Sequence, residues 1–300
     1  MLKNIIVLVF ISSSIHKVSA QTILYSERFN SVVGLNTGTY SANSVSQSYL
    51  YSDLPSGMTS INNGNLAADT TTGNYPYKAP FQSHKGWLTY RPSSLANTAD
   101  TFAVSTSWLI PTGLASSWLM TPTINNITAN SVLTWEAMAP DANNLDGYDV
   151  YVTTNTVSAT PTVGDFTTLL YSVSAENHNW QTRGISLGAY LGQNIRIAFK
   201  NNSTDKYQLW LDDIIVKDIP NSNDVAGVSN DTYKYTVVNV NNSIIATFKN
   251  NGYKAISNLT INYKAGANAT VSETQNLSTP LNYLGTRQFT VSIPDRKSVV

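Results

Sequence analysis

The stretch WQTRGISLGAYLGQNIRIAFKNNSTDKYQLWLDDIIVKD, Trp180–Asp218, decides the fold class of this chain. Ile195, Ile197 and Phe199 alternate with Arg196, Ala198 and Lys200, the period of a half-buried strand. Asn201, Asn202 and Ser203 then supply a polar turn. A second strand runs from Tyr207 to Val216 and carries the adjacent pair Asp212–Asp213 inside an apolar run. Leu209, Leu211, Ile214 and Val216 must feed a core, and side chains alternate along a strand. The two aspartates therefore point to opposite faces unless a bulge intervenes. A charge on a buried face needs a partner or a metal. Two readings follow. Either one aspartate faces solvent while the other caps a neighbouring loop, or the pair belongs to an oxygen-ligand site for calcium.

Composition bounds what such a strand pair can belong to. Three hundred residues suggest about two domains. Hydrophobic residues make up 42%, enough for real cores, whereas charged residues make up only 12%. The usual charged share is about 25%, so solubility must come from Asn, Ser and Thr. Formal net charge is zero, which gives no electrostatic drive toward nucleic acid or an anionic membrane. Cysteine is absent, which removes disulfides, thiol catalysis and cysteine-based zinc sites together. An exported protein without disulfides must hold itself by core size or by metal.

Export is indicated by the first residues, MLKNIIVLVFISSSIHKVSAQ. Lys3 gives a basic start, Ile5–Ile11 an apolar core, and Val18-Ser19-Ala20 a small-residue cleavage site. Residues 1–20 are expected to be a signal peptide, cut after Ala20, which places the protein outside the cell or on its surface. The apolar run falls short of the roughly 18 to 20 residues that a spanning helix needs, and no later segment reads as a transmembrane helix.

From there the chain reads as strands and turns with no helix of convincing length, so the class is all-β. Residues 21–219 are expected to form a β-sandwich. The Pro/Asn/Asp/Gly-rich stretch 220–231 reads as a linker. Residues 232–300 read as a second sandwich, with short strands around Val237, Val238 and Val240, at Ile244–Phe248, within Asn250–Ala267 and at Phe289–Ile293. Such spacing is immunoglobulin-like. About six strands are visible where about seven are needed, so that domain is expected to be incomplete. DANNLDGYD, Asp141–Asp149, lacks the ligand spacing of an EF-hand and reads as an exposed Asn-Asp-Gly turn.

The runs WLMTPTI (Trp118–Ile124), YDVYVTT (Tyr148–Thr154), ISLGAYLGQNIRIAFK and LWLDDIIV, in that order, resemble the cleaved-adhesin or choice-of-anchor-J family. These are secreted modules of Bacteroidetes, similar in architecture to MAM domains. The resemblance covers roughly Thr22–Asp218, and FKNNGYKAISNLTINY resembles the Ig-like adhesion domains that often follow such modules. It implies a jelly-roll sandwich, bound calcium and an adhesive or carbohydrate-binding role rather than a reaction. It also implies that the first and last strands lie side by side and share the metal. Glu27 and Asp212–Asp213 occupy the matching places; for Glu27 a surface pairing with Arg28 or Lys200 is the alternative. Ser117 departs from the aspartate that members often carry before the second tryptophan.

A candidate ligand surface is the irregular segment TTTGNYPYKAPFQSH, which carries Tyr75, Tyr77 and Phe81. Exposed aromatics on a long loop can stack against the apolar face of a sugar ring. The same rings can instead fold back and cover the sandwich. Three histidines, His16, His84 and His178, match no metalloenzyme motif, and no GxSxG elbow, P-loop or dinucleotide fingerprint appears. The reading is a non-catalytic module that binds a glycan or an extracellular protein, with calcium as its metal. The alternative is a spacer or accessory module of a larger secreted peptidase or glycosidase whose catalytic domain lies outside this chain.

Overall fold

The computed structural model describes residues 21–30, 35–42, 45–71, 73–79, 82–92, 100–220, 223–230, 242–263 and 270–293. Val237, Val238 and Val240 lie outside them, as do residues 1–20. The strands, in chain order, begin with β1 (Thr22–Glu27), β2 (Asn36–Ala42), β3 (Val45–Ser52), β4 (Thr59–Asn62) and β5 (Ala67–Ala68). Next come β6 (Leu88–Arg91), β7 (Phe102–Thr106), β8 (Leu109–Ile110), β9 (Ser117–Met120) and β10 (Ser131–Met138). They are followed by β11 (Tyr148–Thr153), β12 (Thr168–Val173), β13 (Gln181–Ser186), β14 (Arg196–Asn201) and β15 (Gln208–Asp218). Beyond these lie β16 (Val225–Asn230), β17 (Asn242–Asn250), β18 (Ile256–Tyr263), β19 (Val271–Leu281) and β20 (Thr286–Ile293). Helix among the described residues is limited to the 3-10 turns Val163–Asp165 and Gly188–Tyr190. The all-β expectation is met.

Residues 22–218 form one compact unit. Its larger sheet runs β13-β10-β15-β7-β6-β3-β2, with β1 also paired to β15, and its smaller sheet runs β12-β11-β14-β9-β4. The two sheets make a β-sandwich whose first and last strands, β1 and β15, are hydrogen-bonded neighbours. Alternation builds the interior. Leu133, Trp135 and Ala137 of β10, Val150 and Val152 of β11, and Ile197 and Phe199 of β14 meet in one fully buried cluster. Inward side chains from facing sheets interdigitate in this way when both faces are apolar.

β15 enters that cluster twice, in two different phases. Leu209 and Leu211 face the core, and so do Ile214 and Val216, so the parity changes between them. Strict alternation forbids this without one extra residue. The register against β10 shows the insertion: Thr134 lies opposite Ile215, whereas Glu136 lies opposite Asp212. The bulge falls at Asp213, whose φ is +46°. Asp is among the few L-residues that visit this left-handed region readily.

The outer face of the larger sheet is covered rather than wet. Tyr49, Tyr77, Leu88, Tyr90, Phe102 and Val104 form a second buried cluster there, with Tyr51, Tyr75 and Trp210 packed against it. Gly38 pairs with Tyr49, and a Cβ at Gly38 would stand 2.1 Å from the Tyr49 ring. Only glycine leaves room for that ring to lie across the neighbouring strand. The outer face of β14 is covered too. Ala198 packs with Trp118, Met120 and Phe166, and Arg196 is buried with its Nη2 2.6 Å from the Ser158 carbonyl oxygen. The half-buried reading of Ile195–Lys200 was therefore too wet, because the loop containing Ser158 and Phe166 folds over that side.

The second unit begins at Ile219. Its sheets, β16-β17-β20 and β18-β19, share a core of Ala246, Phe248, Ile261, Tyr263, Phe289 and Val291. The expected linker is corrected here. Val225–Asn230 is a strand, paired with β17 from Val225 opposite Asn250 to Asn230 opposite Ala246, and Val225 packs against that core. Polar, glycine-containing composition hid a strand whose stabilisation comes from backbone pairing more than from side chains.

The bulge makes a direct prediction. In chelator, Asp213→Gly should leave stability unchanged or raise it slightly, because glycine adopts positive φ without strain. Asp213→Val should lose roughly 1–2 kcal/mol, the cost of a left-handed L-residue made worse by β-branching. Urea denaturation of the two variants checks this; equal stability would place no bulge at Asp213.

Candidate functional site: an acidic seam and an aromatic face

Along one edge, β15 changes partner at its aspartates. β7 pairs with its first part, ending at Ala103 opposite Leu211, and β1 pairs with its last part, ending at Glu27 opposite Ile214. Both strands run antiparallel to β15, so β1 and β7 lie end to end in the same direction. Asp212 and Asp213 sit at the junction between them.

The chain that leaves β1 returns to the same point before β7. Asn30 Nδ2 donates to Asp100 Oδ1 at 3.1 Å, and the Thr101 amide donates to Asn30 Oδ1 at 2.7 Å. Thr101 Oγ1 donates to the Phe29 carbonyl at 2.7 Å. Phe29 has φ +54° and its ring is fully buried in the main core. Glu27 Oε1 accepts the Phe29 amide at 2.6 Å, so its carboxylate caps the sharp turn directly after β1.

The seam therefore collects acids from three parts of the chain. Asp212 is only 8% exposed, and its Oδ1 accepts the Asp213 amide at 2.7 Å. Burial pushes its carboxyl up to about 8, and the charges of Asp213 and Asp100 push the same way; the Asp213 amide and Arg28 oppose them. Arg28 Nε lies 3.4 Å from Asp213 Oδ1, with both side chains well exposed. A pair that exposed contributes little. The atoms here that could ligate a cation are carboxylate and carbonyl oxygens. Among the described residues no group of three or more His, Asp or Glu side chains converges on one point as a metal cage would. Glu27 and the pair Asp212–Asp213 lie at the same strand junction but not at one point, Glu27 opposite core-facing Ile214 and Asp212 opposite Glu136. Asp100, which sequence reasoning missed, lies near enough for its charge to raise Asp212.

The aromatic segment takes the covering role. Tyr77 is fully buried, with its hydroxyl 3.0 Å from both the Gly86 and Val104 carbonyl oxygens. It has no face to offer a ligand, because the sheet already occupies it. Tyr75 is partly buried, 4.9 Å from the Tyr49 ring centre, with Lys78 Nζ 5.4 Å from its own. Phe81 lies outside the described residues. The segment is pinned from below: buried Asn74 donates to the Asp69 and Trp108 carbonyls, and Gln208 Nε2 donates to Asn74 Oδ1 and to the Tyr75 carbonyl.

Half-exposed aromatics occur elsewhere on the same sheet face. Trp180, immediately before β13, is 38% exposed, and Trp210 of β15 is partly exposed. Phe102 lies behind both, stacked on Trp210 at 4.5 Å and edge-on to Trp180 at 5.5 Å. Trp210 Nε1 donates to Gln208 Oε1 at 3.0 Å, which fixes the indole. Sequence reasoning passed over both tryptophans because neither lies on a long loop.

DANNLDGYD divides into two environments. Asp141 is an exposed turn residue, accepting from the Asn143 amide and Asn144 Nδ2, both at 2.9 Å. Asp146, read from sequence as part of the same exposed turn, is fully buried. Its oxygens accept Asn201 Nδ2 at 3.1 Å and the Tyr207 amide at 3.0 Å. Burial nevertheless pushes its carboxyl up to about 6. A second buried acid, Glu176, accepts Arg183 Nε at 3.1 Å and the Tyr148 hydroxyl at 3.0 Å, and Trp135 Nε1 donates to that hydroxyl at 2.8 Å.

No family model matches the chain, and no curated protein matches it. Among solved structures it is similar to the K1 cleaved adhesin domain of Lys-gingipain from Porphyromonas gingivalis W83, at 16% identity and TM-score 0.39, over 67% of this chain and 99% of that one. It is similar to the K2 cleaved adhesin domain of Lys-gingipain at 17% identity and TM-score 0.41, over 67% and 98%. A carbohydrate-binding module of the β-sandwich superfamily is similar at 12% identity and TM-score 0.30, over 66% and 84%.

Asp146 gives a prediction with a defined sign. Its folded-state carboxyl titrates above its ordinary value, so between about pH 4 and 6 the native state holds a proton that the unfolded chain has released. This group's contribution is therefore greatest below pH 4 and declines as pH rises through about 6. Asp146→Asn is neutral throughout and should lack that decline. Asp146→Ala should cost roughly 2–4 kcal/mol, because the Tyr207 N–H is left without an acceptor and the Asn201 amide keeps only its long contact to Ser105. Urea melts of wild type and both variants at pH 4 and pH 7 measure each difference; an identical pH response in Asp146→Asn would contradict the assignment.

Proposed function

We propose that this chain is an exported, non-catalytic binding module that recognises a glycan or protein ligand and carries a structural calcium at the seam. The supporting observation is the buried Asp212 carboxylate at the point where β15 loses one neighbour and gains the next. Backbone pairing is interrupted there, so a cation bridging β15 to the end of β1 would replace what the ladder lacks. Asp212 and Asp213 would hold it from β15, with Asp100 from the turn before β7. Glu27, at the end of β1, would have to release the Phe29 amide to reach it, since no three carboxylates converge there among the described residues. Calcium accepts six to eight oxygens in flexible geometry, so main-chain carbonyls of those turns would complete the shell. When bound, the ion supplies positive charge to an otherwise acidic seam, a stabilising and not a catalytic contribution. The bulge supports this reading, since it lets two consecutive aspartates belong to one site.

The test is thermal. A ligand that binds only the folded state stabilises by about 2.7 kcal/mol at a hundredfold excess over its Kd, which for a domain of this size corresponds to roughly 5–10 °C. Chelator should lower the melting temperature of the wild type by that amount, and calcium should restore it. Asp212→Ala should melt low already and ignore chelator. A wild type indifferent to chelator, with no metal by elemental analysis, would leave the acidic pair as a hydrogen-bonded turn.

A further inference from the structure

We infer that the patch formed by Trp180, Trp210 and Met138 on the outer face of the larger sheet is a glycan-binding surface that takes an uncharged sugar. The inference rests on the binding-module reading above and assigns it a location. Register places the three side chains together. Met138 lies opposite Trp210, and Trp180 stands one residue beyond the Ala137–Gln181 pair, level with Met138 on the edge of the sheet. The indole centres are 6.3 Å apart and inclined at 44°, so they form a shallow angled platform.

Exposure singles out Trp180 among the rings of this face. Tyr77 and Phe102 are sealed beneath the covering segment and the neighbouring rings, whereas Trp180 remains 38% exposed. The platform is also held rigid, by Phe102 behind both indoles and by Gln208 on the Trp210 nitrogen. A fixed ring loses little entropy when a ligand stacks on it. Aromatic faces carry negative quadrupole density, which suits the positively polarised C–H face of a pyranose.

The next row across the strands supplies hydroxyl partners. Glu136 and Thr182 are opposite one another, with Thr182 Oγ1 donating to Glu136 Oε1 at 2.7 Å, and both lie on the outer face with Trp210. A carboxylate there accepts sugar hydroxyls. The Glu136 carboxylate also disfavours uronic or sialic acids. Arg183, adjacent in sequence, faces the other way and is bound to Glu176. The size of the patch argues against a protein partner: two indoles and a methionine fall far below the roughly 800 Å² per partner of a stable protein interface, yet match one or two sugar rings.

Affinity electrophoresis of the full mature chain through gels containing laminarin, xylan, pullulan or, as the acidic comparison, alginate tests this. Retardation by at least one of the three neutral polysaccharides is expected, with Trp180→Ala weakening the affinity about tenfold. Thr182→Arg, an exposed position beside the patch, should abolish retardation without touching the core, which guards against a tryptophan variant that fails to fold. Binding by wild type that survives both substitutions would overturn this site while sparing the binding-module reading. Retardation by alginate alone would overturn the ligand class. A wild type that runs freely in every gel would count against the binding-module reading and this inference together.

Discussion

The phase change along β15 is the constraint on which the sandwich depends. Leu209 and Leu211 must enter the core from one half of the strand, and Ile214 and Val216 from the other. Both conditions hold only if one residue is taken out of alternation, and Asp213 is that residue. A slip of one position turns every following side chain to the opposite face. Without the bulge, either the first or the second pair would face away from the core. The strand is also the longest-reaching element of its sheet, paired with β10 along one edge and with β7 and β1 in turn along the other.

That division of the second edge explains the seam. β1 and β7 act as one interrupted strand, and everything between them is an excursion that leaves and returns through Asn30, Asp100 and Thr101. The excursion contains β2, β3 and β6, which extend the sheet, and the tyrosine-bearing segment, which covers it. One sheet thus has a core on each side. The main core lies between the sheets, and an aromatic layer seals the outer face up to Trp210, where coverage ends. Trp180 and Trp210 stand at that boundary, partly open to solvent as Tyr51 and Tyr75 are elsewhere in the layer.

Buried polar groups set the positions of the loops around this frame. Asp146 ties the turn before β11 to Asn201 and to the start of β15 through the Tyr207 amide. Glu176 ties the turn before β13 to the core through Tyr148 and Trp135. Each acid is costly to bury, and each is satisfied by several donors. Trp180 follows Glu176 by a few residues, so the fixed turn at Glu176 also fixes where the edge tryptophan stands.

By itself the sequence determined the class, the principal strands and the anomaly at their centre. Apolar alternation in IRIAFK and LWLDDIIV required strands, and the parity of Leu209, Leu211, Ile214 and Val216 required either a bulge or a misplaced half-strand. Local periodicity carries that information because side-chain direction in a strand depends on position alone. Only the tertiary structure decided which faces are covered. Tyr77, Arg196 and Asp146 read as solvent-facing or loop residues and are buried, because segments remote in sequence fold over them. Val225–Asn230 became a strand through a partner more than ten residues away, by backbone hydrogen bonds that composition does not record. Asp100 joined the acidic seam, and Trp180 met Trp210, across separations that no local pattern encodes. Alternation is a property of one strand, whereas coverage and convergence are properties of the pairing of strands, and pairing is settled by the packing of the whole core.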